Sequence, residues 1–312
     1  MDESWIGAGG WGYFRGPSGP LLPAYARAFR FVELNATFYR HPSILEARRW
    51  RRSVPVDFHF SVKGHRTITH AERFRATRGA TSALVRDSVI ARTLNADILV
   101  LETPRDLEFG REEVQALKDF SAAVAGSVRI ALEARAYEGR SLPRLLATAL
   151  RDAGGIDVVD VSKGNRPRVE SDVSYTRLLG KGEQNVWEFS DEELLEIDTA
   201  SRSGSIGRMV FAFHGVRMYK DAARFLEFRS SGTLLPTTRS RGQRALEEVL
   251  APDARFPTTR DALLRDHGWK VIALDDGRNV HASEVLSRLP TGAVGSLADI
   301  GRILARAGPK ML

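Results

Sequence analysis

The chain has 312 residues, 43% hydrophobic and 27% charged, enough for one barrel-sized domain and a small second one. It has no cysteine, which excludes disulfides, thiolate nucleophiles and thiolate metal sites and fits a reducing, cytoplasmic setting. The net charge is +7; a cut at residue 235 leaves 34 basic against 30 acidic residues before it and 12 against nine after it. The surplus is thus spread rather than held in a tail, and it permits a phosphate-bearing partner without requiring one.

The first residues, MDESWIGAGG, are acidic and do not read as a signal peptide. No run approaches the 18 or more apolar residues of a membrane span, so no membrane partner is expected. Eight β-prone runs follow in order: 4–10, 31–38, 57–64, 97–103, 128–135, 155–163, 173–179 and 209–215. Between them lie helical patterns: LLPAYARAF, SILEARRWRR, TSALVRDSVIARTL, REEVQALKDFSAAVA, LPRLLATAL and SDEELLEIDTASRSG, the last expected to stop at Gly204. Only 164–172, GNRPRVESD, is too short and polar for a crossover helix. Strand and helix alternating eight times favour a closed parallel (β/α)8 TIM barrel over 1–235, with an open doubly wound sheet as the alternative. GAGGWG at 7–12 has the letters of GxGxxG, but no helical pattern opens directly on it, and with its aromatic residues GAGGWGYFRG reads as a bent loop, not a dinucleotide turn. Residues 236–312 change character. A linker helix, TTRSRGQRALEEVL, leads into three short helical patterns around one strand, KVIALDD, a small mainly helical C-terminal domain.

Polar side chains at the C-terminal ends of barrel strands are unexpected unless they line the mouth. Here they recur. The second strand offers Glu33, Asn35, Thr37 and Tyr39 at every second position, which on an extended strand places all four on one face. The third gives His59, Ser61, Lys63 and His65 on the same rule, and its loop adds Arg66 and His70. Glu102 ends the fourth, Glu133 and Arg135 the fifth, Asp160 and Lys163 the sixth, Arg177 the seventh and His214 the eighth. Buried ions of this kind must pair or meet a ligand. Glu33, Glu102 and Glu133 can be offset by Lys63, Arg135 and Arg177, leaving a mouth near neutrality. Arg135 and Arg177 are the best clamps for a phosphate or carboxylate.

The histidines and carboxylates include legitimate metal ligands, but none has a tight spacing such as HExxH, so no metal and no cofactor is assigned. Serine catalysis is disfavoured, since there is no GxSxG. Paired carboxylates, Glu33 with Glu133 or Glu102, would suit glycosidase-like hydrolysis, with Trp11, Tyr13, Phe14 and Tyr39 available for stacking on a sugar or base.

The segments GAGGWGYFRGP, FVELNATFYRHPSILEARRWRRSVPVDFHFSVKGHRTITH and LEAR (132–135) together resemble the YecE-like family, called domain of unknown function 72, across roughly residues 4–230. The resemblance implies a TIM barrel. It places Glu33, Asn35, Tyr39, Lys63, Arg66, Thr69 and His70 on the family's characteristic positions, with Glu133 and Arg135 on its Glu-x-Arg. Tyr175 and Arg177 fit its Tyr-x-Arg, but Leu179 stands where the family has His, and an imidazole role there would pass to His214. The family has no settled activity; its barrel has been likened to metal-dependent endonuclease IV, whose full histidine-rich ligand set this chain lacks. FPTTRDALL and VLSRLPTGAVGSLADI resemble domain of unknown function 2795, a small helical module.

Three functional readings follow. The first is a hydrolase-like enzyme acting on a small polar or phosphorylated substrate at the mouth. Its candidate catalytic residues are Glu33, Glu133, Lys63 and His70, and its candidate binding residues are Asn35, Tyr39, Arg66, Arg135, Asp160, Tyr175, Arg177 and His214. The second is a nucleic-acid-binding protein, and the third a non-catalytic scaffold with a vestigial pocket. The sequence does not fix the oligomeric state.

Overall fold

In the computed structural model, residues 3–15, 21–202 and 206–306 are described. Eight parallel strands close on themselves in chain order: β1 (Glu3–Ala8), β2 (Phe31–Leu34), β3 (His59–Lys63), β4 (Ile98–Glu102), β5 (Arg129–Glu133), β6 (Ile156–Val159), β7 (Val173–Leu178) and β8 (Arg208–Phe213). Closure comes from β8 against β1, with Glu3 opposite Arg208 and Ala8 opposite Phe213. The open sheet is thereby excluded.

Helices α1 (Leu21–Ala28), α2 (Ile44–Arg52), α3 (Arg78–Thr93), α4 (Arg111–Ala123) and α5 (Arg144–Asp152) follow the first five strands, as the apolar periodicity predicts. Ser43 and Thr77 cap α2 and α3, their hydroxyls accepting from the backbone N–H groups of Glu46 and Ala80 at 3.1 Å each. β6 passes to β7 through a 3-10 turn, Val161–Lys163, without an α-helix, as its polar connection implies. α6 (Asp191–Ser201) precedes β8 and α7 (Met218–Ser231) follows it; the stop expected at Gly204 lies outside the described residues. Among the described residues no helix is long and apolar enough to cross a membrane.

The chain divides into two compact units, Met1–Leu178 with Thr199–His214, and Leu179–Asp198 with Gly215–Leu312. The first holds the barrel strands, filled by Trp5, Phe31, Ile98, Val100, Ala131, Ile156, Val158, Val173, Tyr175, Val210 and Ala212. The second has its own core around Leu246, Leu263, Ile272, Leu286 and Ile300, contributed by helices α8 (Gly242–Leu250), α9 (Arg260–His267), α10 (Ala282–Leu286) and α11 (Leu297–Arg306) and by a short strand. That strand, β10 (Val271–Ala273), was legible in KVIALDD. Its antiparallel partner β11 (Asn279–His281), and the two-residue pair β9 (Thr258–Thr259) with β12 (Ala293–Val294), were not.

One expectation about register fails. The alternation from Glu33 to Tyr39 is not one strand, because β2 ends at Leu34 and Ala36–Phe38 forms a 3-10 turn. Thr37 holds the turn: its buried hydroxyl lies 2.9 Å from the Leu34 carbonyl and 2.6 Å from that of Lys63. The third strand also stops early, at Lys63, which takes His65 off the line that Ser61 and Lys63 define.

Candidate functional site

On a strand every second side chain faces inward, so the residue two beyond each interior apolar group also points into the barrel. Going up β2, β4, β5, β7 and β8, Phe31 gives way to Glu33, Val100 to Glu102, Ala131 to Glu133, Tyr175 to Arg177 and Ala212 to His214. On β3, Ser61 gives way to Lys63. Because the strands are parallel, these six charged or titratable groups meet at one end, the C-terminal mouth.

Arg177, only 3% exposed, is the hub. Its Nη2 lies 3.1 Å from Glu33 Oε1, and its Nη1 donates to Glu102 Oε2 at 2.5 Å and also to Glu133 Oε2. Three carboxylates around one guanidinium leave a local deficit of two positive charges. Lys63 Nζ donates to Glu102 Oε2 at 2.8 Å and Arg135 Nη1 to Glu102 Oε1 at 3.2 Å, which restores neutrality. Below them Tyr175 donates its hydroxyl proton to Glu33 Oε2 at 2.7 Å, with Ser61 Oγ 2.8 Å from the same phenol.

The electrostatics follow from this packing. Burial penalises the Glu33 anion, but Arg177, with His214 and Tyr175, outweighs it and holds the carboxyl well below the usual range. Glu102 behaves likewise: burial works against ionisation, and Arg177 and Lys63 overcome it. Burial and then Glu33 push the Tyr175 phenol well up, so it stays a donor. Burial also opposes the Arg177 cation, and Glu133, Glu33 and Glu102 more than compensate. Lys63 is lowered, by burial first and by Arg177 second, against the pull of Glu102.

His214 Nε2 lies 3.2 Å from Glu33 Oε1 and 3.3 Å from Arg177 Nε. With a proton on Nε2 the ring donates to Glu33; without it the ring accepts from Arg177. The imidazole also explains a glycine. A Cβ at Gly9 would sit 2.3 Å from the His214 ring and 2.7 Å from Asn35 Nδ2, so only a residue without one fits there. Asn35 Oδ1 is buried without a hydrogen-bond partner among the described residues.

His70 stands at the rim, at the C-terminal end of β3, in a single π turn over Thr67–Ala71. Its Nδ1 lies 2.8 Å from Thr69 Oγ1 and its ring meets Phe38 edge-on at 5.0 Å. Lys63 Nζ sits 4.1 Å from the centre of the same Phe38 ring, so one aromatic side chain touches both groups. Burial lowers the His70 pKa, which favours the neutral, proton-accepting imidazole.

The structure therefore brings together Glu33, Lys63, Glu133, Arg135, Tyr175, Arg177 and His214, with His70 beside Lys63. It places others elsewhere. Tyr39 is 72% exposed beyond the turn. Arg66 is exposed at the start of the π turn. Asp160 is spent on its own turn, Oδ1 accepting from the Ser162 backbone N–H at 3.0 Å and from its hydroxyl at 2.5 Å. His59 lies at the start of β3 rather than its end, stacked on Trp5 at 4.1 Å. His65 stacks on His41 at 4.3 Å, and both bond to the buried Asp87 of α3. Glu102 has a larger part than its single strand end suggested, since it accepts from Lys63, Arg135 and Arg177 together. Its signal was already present: it is the residue two beyond an interior valine on β4.

Arg177 cannot also be a free phosphate clamp, because its donors are taken by carboxylates. A metal at the same point does not fit either. The carboxylates that would ligate it surround a guanidinium, and among the described residues no group of three His, Asp or Glu is arranged to hold an ion.

The family model described as protein of unknown function DUF72 matches residues 5–233. YecE of Escherichia coli K12 is 33% identical over 115 residues, which is 36% of this chain and 41% of YecE. A DUF72 family protein from Thermotoga maritima superposes with a TM-score of 0.57 at 20% identity, over 73% of this chain and 100% of that one. Another, from Enterococcus faecalis, gives 0.58 at 13% identity, over 74% and 98%. At such identities the two structures speak to the fold alone, and they agree with the closed barrel. Matched by the family model across most of its length, the chain belongs to the DUF72 family.

Proposed function

We propose that the barrel mouth is a hydrolase-like site for a small, hydroxyl-bearing polar substrate, phosphorylated or not. The observation that supports it is the ring of charged and titratable groups from six strands, neutral as a whole and still partly reached by solvent. Lys63, Glu102, Glu133 and His214 are each 10–13% exposed at the side chain, and Arg135 27%. Mixed donors and acceptors, already balanced in charge, suit hydroxyl groups better than a bare anion.

In this reading His70 is the proton carrier, with Thr69 fixing Nδ1 and leaving Nε2 for the substrate. Glu133 and Glu102 accept from substrate hydroxyls, while Lys63 and Arg135 donate to the oxygen that gains charge. Glu33, Tyr175 and Arg177 form the frame beneath; Glu33 is fully buried and reaches substrate only through its partners. Residues 236–312, which share their compact unit with Leu179–Asp198 and residues 215–235, carry the resemblance to domain of unknown function 2795.

A panel of aryl glycosides, phosphomonoesters and phosphodiesters tests this reading. Turnover of at least one member should fall about 100- to 10,000-fold in His70→Ala, and clearly in Glu133→Gln. Turnover of no member, or turnover indifferent to both changes, would refute it.

A further inference from the structure

The +7 surplus has an address in the fold. Residues 21–95, which supply β2, β3 and α1–α3, hold 14 basic and five acidic side chains; residues 96–178, which supply β4–β7, hold 12 and 14. Two of the five acids, Glu33 and Asp87, are buried. Two more are paired, Glu46 with Arg40 and Asp57 with Arg30. What remains is a face of exposed arginine.

On α2, Leu45, Arg48, Arg49 and Arg52 recur at i, i+3, i+4 and i+7, and all four are exposed. On α3, Arg78, Arg86 and Arg92 share the outer side with Val85. The two helices pack against each other, so the stripes run side by side. Among the described residues none of these six arginines makes an ion pair, although Arg49 adds to the pull that holds the Glu46 carboxyl below its usual range.

Helix chemistry accounts for only part of the pattern. Arg49 and Arg52 lie in the last turn of α2, where the helix dipole welcomes a cation. Arg78 is the first residue of α3, where the dipole opposes one, and Arg48 and Arg52 repel each other four residues apart. Of the 14 basic residues in this segment 13 are arginine, the side chain whose planar fork matches phosphate oxygens and stacks on bases.

Aromatic groups lie at the same place in the chain. Tyr39, 72% exposed, precedes α2, and Trp50 on α2 meets Trp11 edge-on at 5.3 Å. A lipid surface would need an apolar face to insert; here only Leu45 and Val85 interrupt the arginines.

We propose that the outer faces of α2 and α3 bind single-stranded nucleic acid, gripping its phosphates with Arg48, Arg49, Arg52, Arg78 and Arg86 while Tyr39 stacks on a base. This surface is separate from the mouth and does not depend on the activity read there.

Fluorescence anisotropy with a labelled oligothymidine of about 20 nucleotides tests it. The variants are Arg48→Ala, Arg52→Ala, Arg78→Ala and Arg86→Ala combined, and a control that removes the same charge from α4 and α5, namely Arg111→Ala, Lys118→Ala, Arg144→Ala and Arg151→Ala. The full chain should bind, with affinity falling steeply with salt. The α2–α3 variant should bind at least tenfold more weakly, its log–log salt slope smaller by about 3 for four lost phosphate contacts; the control should stay within about twofold of the parent. Both variants replace exposed side chains, and circular dichroism melting checks that they fold. No binding at micromolar protein in about 50 mM salt, equal weakening by both variants, tighter binding to duplex than to single strand, or binding only to phosphatidylserine vesicles would each overturn the assignment.

Discussion

At the scale of single residues, Arg177 decides the electrostatics of the mouth. Removing one partner from a buried ion pair costs more than the pair contributes, because the remaining charge has lost both water and partner. Arg177→Met should therefore destabilise the protein by about 3–5 kcal/mol in urea unfolding. A loss below about 1 kcal/mol would show that Glu33 finds another cation or water. Tyr175→Phe removes one donor from the same carboxylate and should cost about 1–3 kcal/mol. Gly9→Ala belongs to another class. Its methyl group would collide with the His214 ring, and overpacking of this kind costs about 1–3 kcal/mol. His214→Ala should relieve the strain, so the double variant should be less destabilised than the two single losses added together.

At the scale of elements, the strand ends explain both what could be read from the sequence and what could not. The eight strands were legible because each is a short apolar run between turn signals. The inward residues at their C-terminal ends were legible from period two alone: Glu33, Lys63, Glu133 and Arg177 needed no knowledge of contacts. The period misleads once a strand stops, because nothing in FVELNATFYR announces that Thr37 will bond two carbonyls and turn the chain. Asn35, Thr37 and Tyr39 were accordingly grouped with Glu33 by arithmetic that no longer applied. Asp160 shows a related effect, since a carboxylate at a strand end can serve a local turn as readily as a ligand.

The strand ends also set a pH dependence. Glu33 and Glu102 have folded pKa values below the ordinary 4.5, so their contribution is complete above that value and is lost as pH falls through and below it, where the unfolded chain takes up protons first. Urea midpoints between neutral pH and pH 3 should fall more steeply for the parent than for Glu33→Gln; parallel curves would contradict the depressed carboxylates. His70 has the opposite consequence for activity. Its lowered pKa keeps the base form available below 6.5, so the acid limb of any His70-dependent turnover should lie under that value.

At the scale of the whole molecule, the chain carries a barrel and a second unit with its own core. Within that second unit Glu188 accepts from the Val271 backbone N–H at 3.0 Å, Asp191 from the Asn279 backbone N–H at 2.8 Å, and Glu193 pairs with His281 at 2.9 Å. Cutting the chain after residue 235 would strip three carboxylates of these partners. The truncated protein should melt several degrees lower than the full chain, and an unchanged melting temperature would show that the lost partners carry no stability. Function at the mouth requires a ligand site there rather than a set of satisfied ion pairs. Saturation-transfer NMR with a panel of simple sugars and sugar phosphates at millimolar concentration tests that claim most directly. Binding of at least one compound, weakened about tenfold or more by Arg135→Ala and by His70→Ala, is the predicted result; no binding by any member, or binding that both variants leave intact, would contradict it.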